Sequence, residues 1–129
     1  MMRIEHIAIW ADDIELLRTF YTRYFHMECG DKYTNPSKRF MSYFLTFGKD
    51  KTRIELMHIP DMENPANRGS LKGLAHFAIA VGSKEAVNAL TEWLRADGYT
   101  ILGEPRMTGD GCYESVVADP EGNRVEITA

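Results

Sequence analysis

Four short stretches of this chain alternate between ionisable or small residues and branched apolar ones, and they fall into two matched pairs. "HIAIW" (His6–Trp10) resembles "HFAIAV" (His76–Val81), and "RIELM" (Arg53–Met57) resembles "RVEIT" (Arg124–Thr128). Successive side chains on a strand point to opposite faces. His6, Ala8 and Trp10 therefore share one face of the first strand, with Ile7 and Ile9 behind. Likewise Arg53, Glu55 and Met57 oppose Ile54 and Leu56, and Glu126 stands between Val125 and Ile127. After each His-bearing strand the period lengthens to that of a helix. In the first copy, Asp12 and Glu15 have capping-box spacing. Ile14, Leu17, Phe20, Tyr21, Tyr24 and Phe25 follow at helical spacing, and Gly30 is the predicted stop. In the second, Ser83 is the predicted N-cap. Ala86, Val87, Leu90, Trp93 and Leu94 make the apolar face, and Gly98 is the C-terminal stop.

Further strands are predicted in "FMSYFLTFG" and "CYESVVAD", the latter closing into the last strand through the turn "DPEGN" (Asp119–Asn123). "GDKYTNPSK" reads as a loop or as part of a strand. The order β-α-β-β-(β) thus occurs twice. It spans residues 1–59 and 73–129, joined by a polar linker rich in Pro, Asn and Gly at 60–72. The pattern predicts an α+β fold in one domain over 1–129. Two such units, each burying one sheet face, are able to share a core and curve around a cavity.

Composition narrows the function more than the fold. Hydrophobic residues make up 44% and charged residues 26% of the 129 residues, an ordinary globular balance. The net charge of −4 argues against a nucleic-acid partner, since phosphate binding needs a basic patch. No apolar run is long enough for a membrane helix, and "MMRIEHIAIWADD" contains no signal core. Cys29 and Cys112 lack metal-knuckle spacing and read as free thiols. A cytoplasmic protein is expected.

The chemistry lies in the four ionisable residues that interrupt the apolar strands. His6 and Glu55 in the first copy recur as His76 and Glu126 in the second, at almost the same spacing. A carboxylate on a sheet face without a partner is costly. Two imidazoles and two carboxylates converging on one point would remove that cost by binding a divalent cation. Their N and O donors suit Zn, Ni, Co, Mn or Fe.

The doubled His-strand, the paired closing Glu and "DPEGNRVEI" together resemble the vicinal oxygen chelate superfamily, over nearly the whole chain. That group includes glyoxalase I, methylmalonyl-CoA epimerase, extradiol dioxygenases, and bleomycin and fosfomycin resistance proteins. The resemblance implies two βαβββ modules forming a cupped, barrel-like sheet with the helices outside. It also implies one metal ion per site and a homodimer. The set His6, Glu55, His76, Glu126 resembles that of glyoxalase I. This implies a lyase or isomerase acting on the hemithioacetal of an α-oxoaldehyde, or a similar α-hydroxycarbonyl compound, through an enediolate. Glu126 is then the expected base and Glu55 its pseudo-symmetric counterpart. Glutathione-using relatives resemble one another in an Arg four residues after the first His and an Asn four after the first Glu. Trp10 and Ile59 stand there instead, making the rim more apolar. Trp10, Arg53, Tyr113 and Arg124 are candidates to bind the substrate, the two arginines alternatively neutralising the carboxylates. His58 is expected to be structural, His26 to end a helix, and Thr108–Ser115 to form a flap or a hairpin connection. Two other readings remain. One is a non-catalytic, resistance-like small-molecule binder, and the other an iron-dependent extradiol-type dioxygenase.

Overall fold

The computed structural model describes residues 1–129, and the chain divides into two compact units, Met1–Asn64 and Pro65–Ala129. In the first unit, strand β1 (His6–Trp10) leads into helix α1 (Ile14–Phe25). The short strands β2 (Glu28–Cys29) and β3 (Tyr33–Asn35) follow, then a 3₁₀ turn (Pro36–Lys38), β4 (Phe40–Thr46) and β5 (Arg53–His58). In the second, β6 (Phe77–Ala80) leads into α2 (Lys84–Ala96), β7 (Ile101–Met107), β8 (Tyr113–Ala118) and β9 (Arg124–Thr128). The sheets share one plan. The order is β1-β5-β4-β2 in the first, with β3 also on β4, and β6-β9-β8-β7 in the second. In each the opening strand runs parallel to the closing one. The predicted α+β class and the twice-used βαβββ module are therefore present. The strand hidden in the first copy is the one split into β2 and β3.

Each helix covers the branched face of its own sheet. On α1 all six predicted apolar residues are buried, and they pack with Leu45, Ile54 and Leu56, which are also buried. The cap differs from expectation. Ala11 is buried and extends the β1 ladder by donating to the Met57 carbonyl (2.8 Å), so the helix starts one residue later. Asp13, not Asp12, accepts from the Leu16 N–H at 3.0 Å. Glu15 turns instead to the Tyr43 hydroxyl (2.8 Å) and Lys32 (3.0 Å). The helix ends at Phe25, ahead of Gly30, because His26 takes the left-handed conformation (φ 55°) and donates back to the Tyr21 carbonyl.

On α2, Ser83 is the N-cap as predicted, and Gly98 (φ 91°) follows the helix end. The buried stripe is Val87, Thr91 and Leu94, while Trp93 is half-exposed. Thr91 enters the core because its hydroxyl is satisfied there. It reaches the Val87 carbonyl at 2.6 Å and the Ser115 hydroxyl at 2.7 Å.

The linker carries no helix or strand. Its first part belongs to the first unit, where Asp61 pairs with Arg39 and Asn64 reaches Asp12 (3.5 Å). Its later part folds onto the β8–β9 turn, where Arg68 donates to Asn123 (3.0 Å) and Arg124 to Ser70 (3.2 Å). The buried Asp119 carboxylate organises that turn, accepting from the Glu121 and Asn123 N–H groups, each at 2.9 Å. Thr108–Cys112 is a closed hairpin turn, with the Thr108 N–H on the Cys112 carbonyl at 2.7 Å. No helix is long and apolar enough to cross a membrane.

Candidate metal centre

The open face of each sheet carries the same device. In the first unit Ala8 pairs directly with Glu55, and in the second Ala78 pairs with Glu126. The methyl group leaves space above each carboxylate, and the His two residues before that Ala leans over it. His6 Nε2 lies 3.6 Å from Glu55 Oε1, and His76 Nε2 lies 3.1 Å from Glu126 Oε2. His6 is the first residue of β1, whereas His76 stands one residue ahead of β6. Both glutamates are largely enclosed, at 15% and 16% side-chain exposure, while both imidazoles are open.

The structure pairs the four predicted ligands two by two, one His–Glu pair in each unit. No group of three or more His, Cys, Asp and Glu gathers to hold a metal ion. The pairs nevertheless fit the chemistry of one. An N and an O donor bound side by side at about 2.0–2.2 Å from a divalent ion lie about 3.0–3.5 Å from each other, from octahedral to tetrahedral geometry. The His76–Glu126 distance falls inside that range, and His6–Glu55 lies just beyond it.

The surroundings of the two pairs differ. In the first unit, Glu5 contacts His6 Nδ1 through one carboxylate oxygen and Arg53 through the other, the latter at 2.6 Å. The hydrogen bond to His6, followed by Arg53, holds the Glu5 carboxyl below its ordinary range. Arg53 also lies over the Phe44 ring at 3.9 Å, and His6 meets the same ring edge-on at 5.6 Å. Arg53 is thus occupied by Glu5 and Phe44. Farther along the face, Trp10 meets Phe40 edge-on at 6.2 Å, and Tyr33 lies 6.0 Å from Phe40.

In the second unit a second carboxyl joins the pair. Glu114 is buried, two residues before Val116, which pairs with Glu126. Its hydrogen bond with Glu126, and then burial, push the Glu114 carboxyl above the ordinary range. The same neighbourhood raises the Cys112 thiol, chiefly through Asp110 and then burial, with Glu114 and Glu126 adding to it. Sequence reasoning did not single out Glu114, nor Glu5, Phe40 or Phe44. Counting back across the Asp119–Asn123 turn from Glu126 would have put Glu114 on its face.

Two other candidates are placed elsewhere. Tyr113 alternates with Glu114, so it faces α2. There its hydroxyl donates to Asn88 Oδ1 (2.6 Å) and Lys84 lies over its ring. It does not share the face of Glu126. Arg124 does share that face, but it is drawn to the linker by Ser70. His58 is structural, its Nδ1 lying 2.8 Å from the Ala11 carbonyl.

Comparison with known proteins identifies the family. The profile of the Glyoxalase/Bleomycin resistance protein/Dioxygenase superfamily matches residues 3–127. Uncharacterized protein YqjT of Bacillus subtilis (strain 168) is 31% identical over 131 residues, covering 98% of both chains. Glyoxalase I from Zea mays superposes with a TM-score of 0.77 at 25% identity. The match covers 98% of this chain but only 44% of the maize protein. A possible glyoxalase from Bacillus cereus matches over the full length of both chains, with a TM-score of 0.75 at 22% identity. With the profile matching residues 3–127, this chain belongs to the Glyoxalase/Bleomycin resistance protein/Dioxygenase superfamily.

Proposed function

We propose that this protein is a metal-dependent lyase or isomerase of the glyoxalase I kind, acting on the hemithioacetal of an α-oxoaldehyde or a similar α-hydroxycarbonyl compound. The observation that carries the reading is the repetition of one His–Glu pair, at 3.6 and 3.1 Å, on the open face of both sheets. His6, Glu55, His76 and Glu126 would hold one divalent ion. The ion, when bound, lowers the energy of negative charge growing on the two substrate oxygens. The chain supplies the proton chemistry. Glu126 is the base that removes the C–H proton and passes it to the former carbonyl oxygen, while Glu55 takes the hydroxyl proton of the first carbon and delivers it to the neighbouring carbon. Glu114 beside Glu126 lets the pair carry a proton between them. Arg53 holds Glu5, and Trp10 with Phe40 and Tyr33 offers an apolar wall to the thiol moiety. This wall favours a less anionic thiol than glutathione. The protein acts in the cytoplasm as a homodimer.

The test is a screen of methylglyoxal hemithioacetals after reconstitution with Ni, Zn, Co, Mn or Fe. Thioester formation that is lost in Glu126→Gln supports the reading, and no turnover with any metal and thiol overturns it. The half-exposed aromatic residues favour one second reading, a non-catalytic binder of a flat small molecule. It predicts tight binding of an aromatic ligand without metal, abolished by Trp10→Ala.

A further inference from the structure

The Glu5 carboxylate sits on His6 Nδ1 and is held there through its other oxygen by Arg53 at 2.6 Å. A carboxylate can only accept, so Nδ1 must carry the hydrogen. In the neutral ring, the lone pair is then on Nε2. That nitrogen faces Glu55 Oε1 across 3.6 Å, too far for a good hydrogen bond. Nε2 and Glu55 Oε1 can then both serve a cation placed between them. Phe44 stiffens the arrangement, since the imidazole and the Arg53 guanidinium both rest on its ring. The second unit has Ala75 where the first has Glu5, so this carboxylate support is particular to His6.

We propose that Glu5 is the positioning residue of the first half-site: anchored by Arg53, it fixes the His6 tautomer and turns Nε2 toward Glu55 as a metal donor. The inference rests on the metal reading above, but part of its test does not. Carboxylates behind metal-binding imidazoles orient the ring and strengthen the donor, and losing one typically weakens metal binding about 10–100-fold.

The experiment uses 15N-labelled, chelator-treated protein in alkaline buffer. Long-range 1H–15N correlation reads which ring nitrogen of His6 bears hydrogen. The wild type is expected to show hydrogen on Nδ1 and none on Nε2. Glu5→Ala should move it to Nε2, Glu5→Gln should retain the wild-type pattern through its carbonyl oxygen, and His76 should not change. Zinc affinity, measured by competition with a chromophoric chelator, should fall about 10–100-fold in Glu5→Ala and less in Glu5→Gln. Hydrogen on Nε2 in the wild type, a tautomer indifferent to Glu5→Ala, or equal zinc affinity in Glu5→Ala and wild type would each overturn the proposal. A wild type that binds no zinc overturns the metal reading and the donor role with it. The tautomer result still decides whether Glu5 sets the ring.

Discussion

His76 Nε2 stands 3.1 Å from Glu126 Oε2, and the only side chain paired directly with that glutamate on β6 is the methyl of Ala78. The same triplet of His, Ala and Glu recurs as His6, Ala8 and Glu55. Under the proposed function, activity should fail when either pair is damaged. Glu55→Gln and Glu126→Gln should each remove nearly all thioester-forming activity while leaving the thermal midpoint within a few degrees of wild type. An iron-dependent oxygenase would tolerate Glu55→Gln, so full oxygenase turnover in that variant would exclude the isomerase.

The Glu15–Tyr43 contact makes a pH prediction remote from the site. The Tyr43 hydroxyl, then Lys32, hold the Glu15 carboxyl below its ordinary value. A lowered carboxyl stabilises the fold above its unfolded value, near 4.5, and that contribution fades as pH drops through the folded value. Glu15 is half-exposed, so the effect amounts to a few tenths of a kcal/mol. Tyr43→Phe should therefore lower denaturant stability slightly at pH 7 and much less at pH 3. A difference that grew on acidification would show the wrong sign.

Thr91 and Ser115 share one buried hydrogen bond, 2.7 Å long, beneath α2. Thr91→Val keeps the shape but strands the Ser115 hydroxyl, costing about 1–3 kcal/mol in urea unfolding. Adding Ser115→Ala should recover much of that loss. A double variant no better than the single one would contradict the pairing.

Gly69 has φ +79°, and a Cβ there would lie 2.5 Å from the Ala75 carbonyl oxygen and 2.9 Å from Arg124 Cδ. Gly69→Ala should cost about 1–3 kcal/mol, the range for a backbone held in an unfavourable region. Unchanged unfolding would mean that the linker does not pack on the second unit.

Much of this was legible in the chain because the repeat shows each half twice. Two copies of His-x-Ala-Ile and of a Glu between aliphatic residues identify the strands, their faces and the paired ligands. The DPEGN turn fixes the last hairpin. Other features depended on contacts between residues distant in sequence. Asp13 displaces Asp12 as the cap because Ala11 is claimed by Met57. Thr91 replaces Trp93 in the core because Ser115 answers it from β8. Tyr113 turns toward Asn88 once the β8 register is set. β7 contains Pro105 and two register shifts, so it lacks a clean alternation, yet as an edge strand it accommodates both. Glu5 and Glu114 look like ordinary surface charges until their neighbours are in place.

The central claim is that His6, Glu55, His76 and Glu126 serve one ion. Titration of chelator-treated protein with nickel, by calorimetry and elemental analysis, tests it most directly. The account predicts one nickel per chain, with His6→Ala and His76→Ala each weakening binding more than tenfold. Two nickel ions per chain with independent losses, or binding indifferent to either histidine, would contradict it.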